Sequence, residues 1–279
     1  MRIRIVPLDR DDIPFAKSLT DAEGWARSRR AWERFFRVQP DGFYQAVDHG
    51  TPGGIVGIFC YARVAWIHSL IVVPGYRRKG VGRRLVGFCR EEATRRGIRA
   101  LKLDAAPGTT AFYERLGWRS EFPSRRFHGT SGRMPHRCHS VRGDEIESLL
   151  RVDQATLGWD RSRLLRELAQ DQPDGTFAVG STGNPEGYVF SVPAEGRVEI
   201  GPLVVSSRRV DVARELLRAT FDRWSGQTVR CCVPGTHPAA GALMAEFGFE
   251  EEAPSTRMAL GDEFPEATAQ FLMAGPAEG

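Results

Sequence analysis

Apolar residues recur at every fourth position through Val81, Leu85, Cys89 and Ala93, with Val86 and Phe88 widening the stripe. That spacing gives one buried face on an α-helix. Arg83, Arg84, Arg90, Glu91, Arg95 and Arg96 fill the other face, and Gly97 supplies a C-terminal stop. The runs AWIHSLIVV before this helix and RALKLDA after it have the character of strands. Strand, helix and strand in about 40 residues make a βαβ unit, which predicts parallel strands and a right-handed crossover.

The pattern returns later in the chain. HSLIVVPGYRRKGVGRRLVGFCREEATRRG, IRALKLDAAPG and TTAFYERLGW are answered by EIGPLVVSSRRVDVARELLRATFDRWSG, QTVRCCVPGTHP and AAGALMAEFGF. Leu70 corresponds to Leu203 and Gly117 to Gly248. A repeat this long means two copies of a domain rather than a solenoid. FHGTSGRMPHRCHS, residues 127–140, is rich in Gly, Ser, Pro and His, has little periodicity and reads as a linker. The expected organisation is a first domain over 1–130, a linker over 131–138, a second domain over 139–262 and a tail over 263–279. The final MAGPAEG is expected to fray. In DAEGWARSRRAWERFF, Trp25, Trp32, Phe35 and Phe36 are expected near one helical face, as core.

Composition narrows the class. With 279 residues, 41% of them hydrophobic, the chain has material for a folded core. It has no apolar run long enough to span a bilayer, and its first residues lack the apolar segment of a secretory signal. The expected location is cytoplasmic. Cys60, Cys89, Cys138, Cys231 and Cys232 are odd in number and show no CxxC spacing, so buried thiols are expected rather than disulfides or a metal site. Lysine occurs only at Lys17, Lys79 and Lys102; the rest of the 39 basic residues are arginines spread among 35 acids, for a net charge of +4. A nucleic-acid binder would concentrate that charge beside aromatic platforms. No nucleic-acid or membrane partner is expected.

Only VVPGYRRKGVGRRLV, residues 72–86, gathers charge and glycine together at a strand-to-helix turn. The first turn of a helix has unpaired N–H groups and a partial positive charge, and glycine there lets a phosphate approach. The stretch is either a pyrophosphate cradle or a tight turn with a solvated basic face. The string GxxxxGK[ST] is absent, and the Gly80–Leu85 run lacks the third glycine of a dinucleotide fingerprint.

VVPGYRRKGVG resembles the acyl-CoA signature of the GNAT N-acetyltransferases, V-x-P-x-x-[QR]-x-x-G-x-[GA], with Arg77, Gly80 and Gly82 in the signature positions. FYERLGW, residues 112–118, resembles the family's later Y-x-x-x-G-F element. The resemblance covers most of residues 1–130, and the second half looks like the same fold with its signature worn away. It implies an α/β protein of two GNAT domains. Each would have a mixed, largely antiparallel twisted sheet, a central βαβ unit and flanking helices.

The same resemblance implies acetyl transfer from acetyl-CoA to an amine by direct attack, without a metal. Leu70, Ile71 and Val72 would lie beside the pantetheine arm, and Arg77, Arg78, Lys79, Gly80, Val81, Gly82 and Arg83 would surround the pyrophosphate. Tyr113 matches the family's general acid. Asp104, at a strand end, and His68, whose ordinary pKa suits the work, are the candidate bases. The family's Asn before the tyrosine helix is replaced by Ala106. Glu23 and Trp25 are candidate contacts for an amine with an apolar body.

In the second half SSRRVDVA has no glycine, Asp211 brings negative charge and Met244 stands where Tyr113 does. That half is expected not to bind acetyl-CoA productively. The expected activity is N-acetylation of a small-molecule primary amine by the first half, in a monomer or homodimer. Acetylation of a protein N-terminus or lysine, and a non-catalytic acyl-CoA sensor, stand as alternatives.

Overall fold

The computed structural model describes residues 2–25, 27–264 and 267–275. The chain forms two compact units. The first takes in Met1–Leu103, Phe112–Arg119 and Ala259–Phe264; the second takes in Asp104–Ala111, Ser120–Met258 and Pro265–Gly279. The expected fraying of the terminus falls partly on residues 276–279, outside the described residues.

The N-terminal half runs β1 (Ile3–Pro7), α1 (Ile13–Ala22), α2 (Arg29–Val38), β2 (Phe43–Asp48), β3 (Thr51–Tyr61), β4 (Val64–Val72), α3 (Val81–Arg95), β5 (Ala100–Ala105) and α4 (Thr110–Glu114). The first unit's sheet has the order β1-β2-β3-β4-β5. The first three pairings are antiparallel and β4–β5 is parallel, as the βαβ pattern requires. The β2–β3 turn has His49 and Gly50 at φ 48° and 89°, the left-handed pair that suits a two-residue hairpin.

Helix α3 buries Val81, Leu85, Val86, Cys89 and Ala93, the stripe read from their spacing. Helix α2 starts where the Ser28 hydroxyl accepts the Ala31 N–H at 3.1 Å, and it buries Trp32, Phe35, Phe36 and Val38. Phe35 meets Phe59 edge-on at 5.2 Å, and Trp32 meets Phe43 at 5.8 Å. Trp25 does not share that helical face. Helix α1 ends at Ala22 and Gly24 takes φ 70°, so Trp25 lies half-buried in the connection before α2.

The C-terminal half repeats the order: β6 (Arg119–Thr130), β7 (His139–Ser140), α5 (Ile146–Leu157), α6 (Ser162–Asp171), β8 (Thr176–Ser181), β9 (Asn184–Ala194), β10 (Arg197–Val205), α7 (Val210–Arg223), β11 (Thr228–Pro234), α8 (Pro238–Glu246), β12 (Glu250–Gly261) and β13 (Gln270–Leu272). In the second unit the order is β12-β6-β11-β10-β9-β8-β7, with β13 added on β10. Strands β10 and β11 are parallel, while β6–β11, β9–β10, β8–β9 and β7–β8 are antiparallel. Each unit is therefore a mixed, mostly antiparallel sheet with helices, the α/β architecture implied by the resemblance.

Two local readings change. Phe127–Thr130, read as the start of a linker, belongs to β6, whose register with β11 runs from Ser124 opposite Pro234 to Thr130 opposite Thr228. Phe127 is buried there, so the ladder and the core override its loop-like neighbours. Met273, read as part of a frayed end, is fully buried beside β13. No helix among the described residues is long and apolar enough to cross a membrane.

Candidate functional site

Strand β4 leaves β5 early. Their parallel register covers only Val64–Trp66 opposite Ala100–Lys102. Against β3 the register of β4 shifts between His68 and Ile71, and Ser69 sits in the shift at φ 51°. A bulge of this kind bends its strand and breaks the ladder. Leu70 and Val72 are half-buried and Ile71 is buried past this point, so backbone polar groups face an opening between two diverging strands.

The chain then turns into α3. Pro74–Tyr76 make one 3-10 turn, Arg78 takes φ 61° and Gly80 φ 81°, and the helix begins at Val81. Gly80 is the N-cap and offers no side-chain acceptor, so the first N–H groups of α3 have none from their cap. Arg78, Lys79 and Arg83 are exposed around them. Val81 turns its side chain into the core and contributes only backbone. This arrangement suits an anion at the helix start.

Gly82 is not explained by the fold alone. It is helical, where glycine costs roughly 0.5–1 kcal/mol relative to alanine. A Cβ on it would lie 3.4 Å from Phe112 Cζ and 3.6 Å from Val72 Cγ2, which is ordinary contact. The same distances show that Phe112, on α4, packs at the start of α3 beside Val72 and so ties the later motif to the loop.

Arg77 is exposed beside Arg78 and Lys79, but its guanidinium is engaged. Its Nε donates to the Val72 carbonyl at 2.9 Å and its Nη2 to Glu23 Oε1 at 2.5 Å. It ties the end of β4 to the turn after α1, and so brings one residue read as a cofactor contact together with one read as an acceptor contact.

Tyr113 follows Phe112 on α4 and is buried, with Trp118 edge-on at 6.1 Å. Burial pushes its phenol up from its ordinary value, so it keeps its proton through neutral pH.

The two candidate bases differ sharply. His68 lies in the aromatic core of the first unit, stacked on Phe59 at 4.3 Å with Phe35 and Phe43 edge-on at 5.3 and 5.5 Å. Its Nδ1 is 3.0 Å from Ser69 Oγ, and its Nε2 has no hydrogen-bond partner among the described residues. Burial, helped by the nearby Arg27 charge, holds the imidazole well below its ordinary pKa and therefore neutral. Asp104 belongs to the second unit and is fully enclosed. Arg257 donates Nε to Oδ1 at 3.1 Å and Nη2 to Oδ2 at 3.0 Å, and the Ser124 hydroxyl donates to Oδ1. Both carboxylate oxygens are thus already engaged.

Arg257 and Arg27 carried no signal in the sequence. The first stands far along the chain from Asp104, and the second is one arginine among many. Among the described residues no group of three or more His, Cys, Asp or Glu is placed to hold a metal ion.

The acetyltransferase (GNAT) family model matches residues 9–118, and an acetyltransferase (GNAT) domain model matches residues 149–272. An uncharacterized N-acetyltransferase of Bacillus subtilis, YitH, is 26% identical over 202 residues, covering 71% of this chain and 70% of that protein. A holothin acyltransferase of a Pseudoalteromonas species is 24% identical over 193 residues, covering 68% of this chain and 65% of that protein. The crystal structure of a putative acetyltransferase from Pyrococcus horikoshii has the same fold, with a TM-score of 0.84 at 23% identity over 99% of this chain and 96% of that one. The chain belongs to the GNAT family of acyl-CoA-dependent acetyltransferases and carries two of its domains in tandem.

Proposed function

We propose that the first unit transfers an acetyl group from acetyl-CoA to a primary amine of a small molecule. The observation that carries this reading is the uncapped start of α3 at Gly80–Gly82, set where β4 departs from β5 and packed by Phe112 of the tyrosine helix. The backbone N–H groups of residues 80–83 and the exposed Arg78, Lys79 and Arg83 would hold the pyrophosphate. Leu70, Ile71 and Val72 would flank the pantetheine arm. Arg77 keeps its position as the brace between the loop and Glu23.

In the transfer the amine nitrogen bonds to the thioester carbonyl carbon, the carbon–sulfur bond breaks, and the amine loses one proton while the sulfur gains one. Tyr113, protonated through neutral pH, is the donor to sulfur. Of the two base candidates, His68 has a neutral ring and an unpartnered Nε2, while both oxygens of Asp104 are taken. The reading gives Asp104 a structural part and leaves His68, a weakened base in its buried setting, as the other of the two candidates. Glu23, braced at the loop, and Trp25, half-buried two residues on, suit an ammonium group on an apolar body. A relative named for acyl transfer to holothin supports a small acceptor.

The test is thiol release from acetyl-CoA by the purified chain with panels of small primary amines and of peptides. Turnover with small amines is expected, and Tyr113→Phe should cut it by about 100-fold or more while CoA still binds. Turnover with peptides alone would move the acceptor to proteins. CoA binding without turnover on either panel would make the chain a sensor, and unchanged turnover in Tyr113→Phe would remove that residue from the reaction.

A further inference from the structure

Strands β4 and β10 are built alike. Each runs parallel to its neighbour over three residues, Val64–Trp66 beside Ala100–Lys102 and Val198–Ile200 beside Val229–Cys231. Each shifts register against the preceding strand just beyond that point, β4 between His68 and Ile71 and β10 between Ile200 and Leu203. The residues that follow are Leu70–Val72 in β4 and, by the repeat, Leu203–Val205 in β10. In the first unit those residues are where the proposed reading lays the pantetheine arm.

In the second unit the corresponding edge is already taken. Strand β13 runs antiparallel to it, with Leu272 opposite Leu203 and Gln270 opposite Val204. The Val205 N–H donates to the Ala269 carbonyl at 3.0 Å. On the other side the Met273 N–H donates to the Cys232 carbonyl of β11 at 2.9 Å. The segment therefore fills the opening between β10 and β11 and is hydrogen-bonded to both walls. Ala269, Gln270, Phe271, Leu272 and Met273 are all buried. Phe271 packs against the His237 ring at 4.1 Å, and Arg257 Nη2 donates to Met273 Sδ at 2.8 Å. A side chain at Gly201 would strike the Met273 carbonyl, so glycine there serves the passage of this segment.

The anion end is closed by the chain's own carboxylates. Ser206 Oγ donates to the Glu186 carbonyl at 2.9 Å, and Ser207 Oγ to Glu186 Oε1 at 2.8 Å. Arg209, the N-cap of α7, pairs with both oxygens of Asp211 and reaches Glu186 Oε1 at 3.4 Å.

We propose that β13 is a built-in substitute for the pantetheine arm, with Glu186 and Asp211 in the role of the phosphates. The second unit is thereby closed to acyl-CoA, and the chain has one acyl-CoA site. The assignment rests on the reading of the first unit given above.

The test combines titration calorimetry of the whole chain with CoA and amide hydrogen exchange with and without it. One site is expected. Amides of residues 203–205 and 270–273 should exchange slowly and equally in both states, while those of residues 78–84 slow on binding. Two sites, or faster exchange at 270–273 with CoA, would overturn the proposal. Gly82→Arg, which blocks the first loop, should leave no CoA site; a surviving site would place CoA in the second unit and overturn it too. If the wild-type chain takes no CoA, it is the reading of the first unit that fails. Exchange in the unliganded chain then still decides the present proposal, protected amides at 203–205 supporting it and unprotected ones overturning it.

Discussion

Gly80 and Gly82 are glycines for different physical reasons. Gly80 takes φ 81° with open space around its Cα, so its demand is conformational. Alanine there should cost about 1–2 kcal/mol through the left-handed backbone. Gly82 is helical, and the added methyl would find only ordinary contacts. Gly82→Ala should therefore leave the thermal midpoint unchanged or slightly raised, because alanine reduces the freedom of the unfolded chain. It should also leave CoA binding close to wild type, because the signature that this loop resembles takes glycine or alanine here; Gly82→Val, whose branched side chain would keep a phosphate from the backbone, should weaken it about tenfold, or about 1.4 kcal/mol. Calorimetry with CoA beside a melting curve separates the two effects. Wild-type affinity in Gly82→Val would remove close backbone approach from the cofactor reading.

At the scale of elements, similar strand and helix patterns are put to different ends. Strand β4 diverges from β5 and leaves an edge beside the glycine loop, whereas the matching edge of β10 is covered by β13. The end of β5 is held to β12 by Asp104 and Arg257, both fully enclosed. Removing one partner of such a pair leaves an uncompensated buried charge, which costs about 3–5 kcal/mol. Arg257→Ala is accordingly expected to lower the urea midpoint severely. Asp104→Asn, which leaves the enclosed Arg257 charge unbalanced, should lower it by a similar amount but keep the turnover of each folded molecule close to wild type. A well-folded Asp104→Asn chain that had lost turnover would restore Asp104 as the base.

At the scale of the molecule, neither unit is a continuous stretch of chain. The first includes Ala259–Phe264, held where the Asp262 N–H donates to the Arg99 carbonyl at 3.2 Å and Arg119 Nη1 to the Gly261 carbonyl at 3.1 Å. The second includes β6, whose residues from Ser124 onward pair with β11. A fragment of residues 1–130 would lack a segment of its own unit and expose a strand whose partner is missing. Open strand edges of that kind promote aggregation. The fragment is expected to show no cooperative thermal transition by circular dichroism, whereas the whole chain should melt cooperatively. A sharp, reversible transition in the fragment would show that the first half folds alone.

What the sequence determined was local. The period of Val81, Leu85, Cys89 and Ala93 established α3, the flanking apolar runs established β4 and β5, and the glycines marked the turn between them, because each signal lies within a few residues of its cause. The repeat made the second copy legible by the same means. What the tertiary structure decided depends on residues far apart in the chain. Asp104 ends a strand in both accounts, but Arg257 occupies it only after folding. Glu23 and the Val72 carbonyl come within reach of Arg77 only in the folded chain. Trp25 looked helical until Gly24 turned the chain. Segment 269–273 carries no strong periodicity, and its role comes from the two diverging strands that it joins. A short pattern can specify a helix face, but only the folded chain determines which opening is filled and which carboxylate is left free.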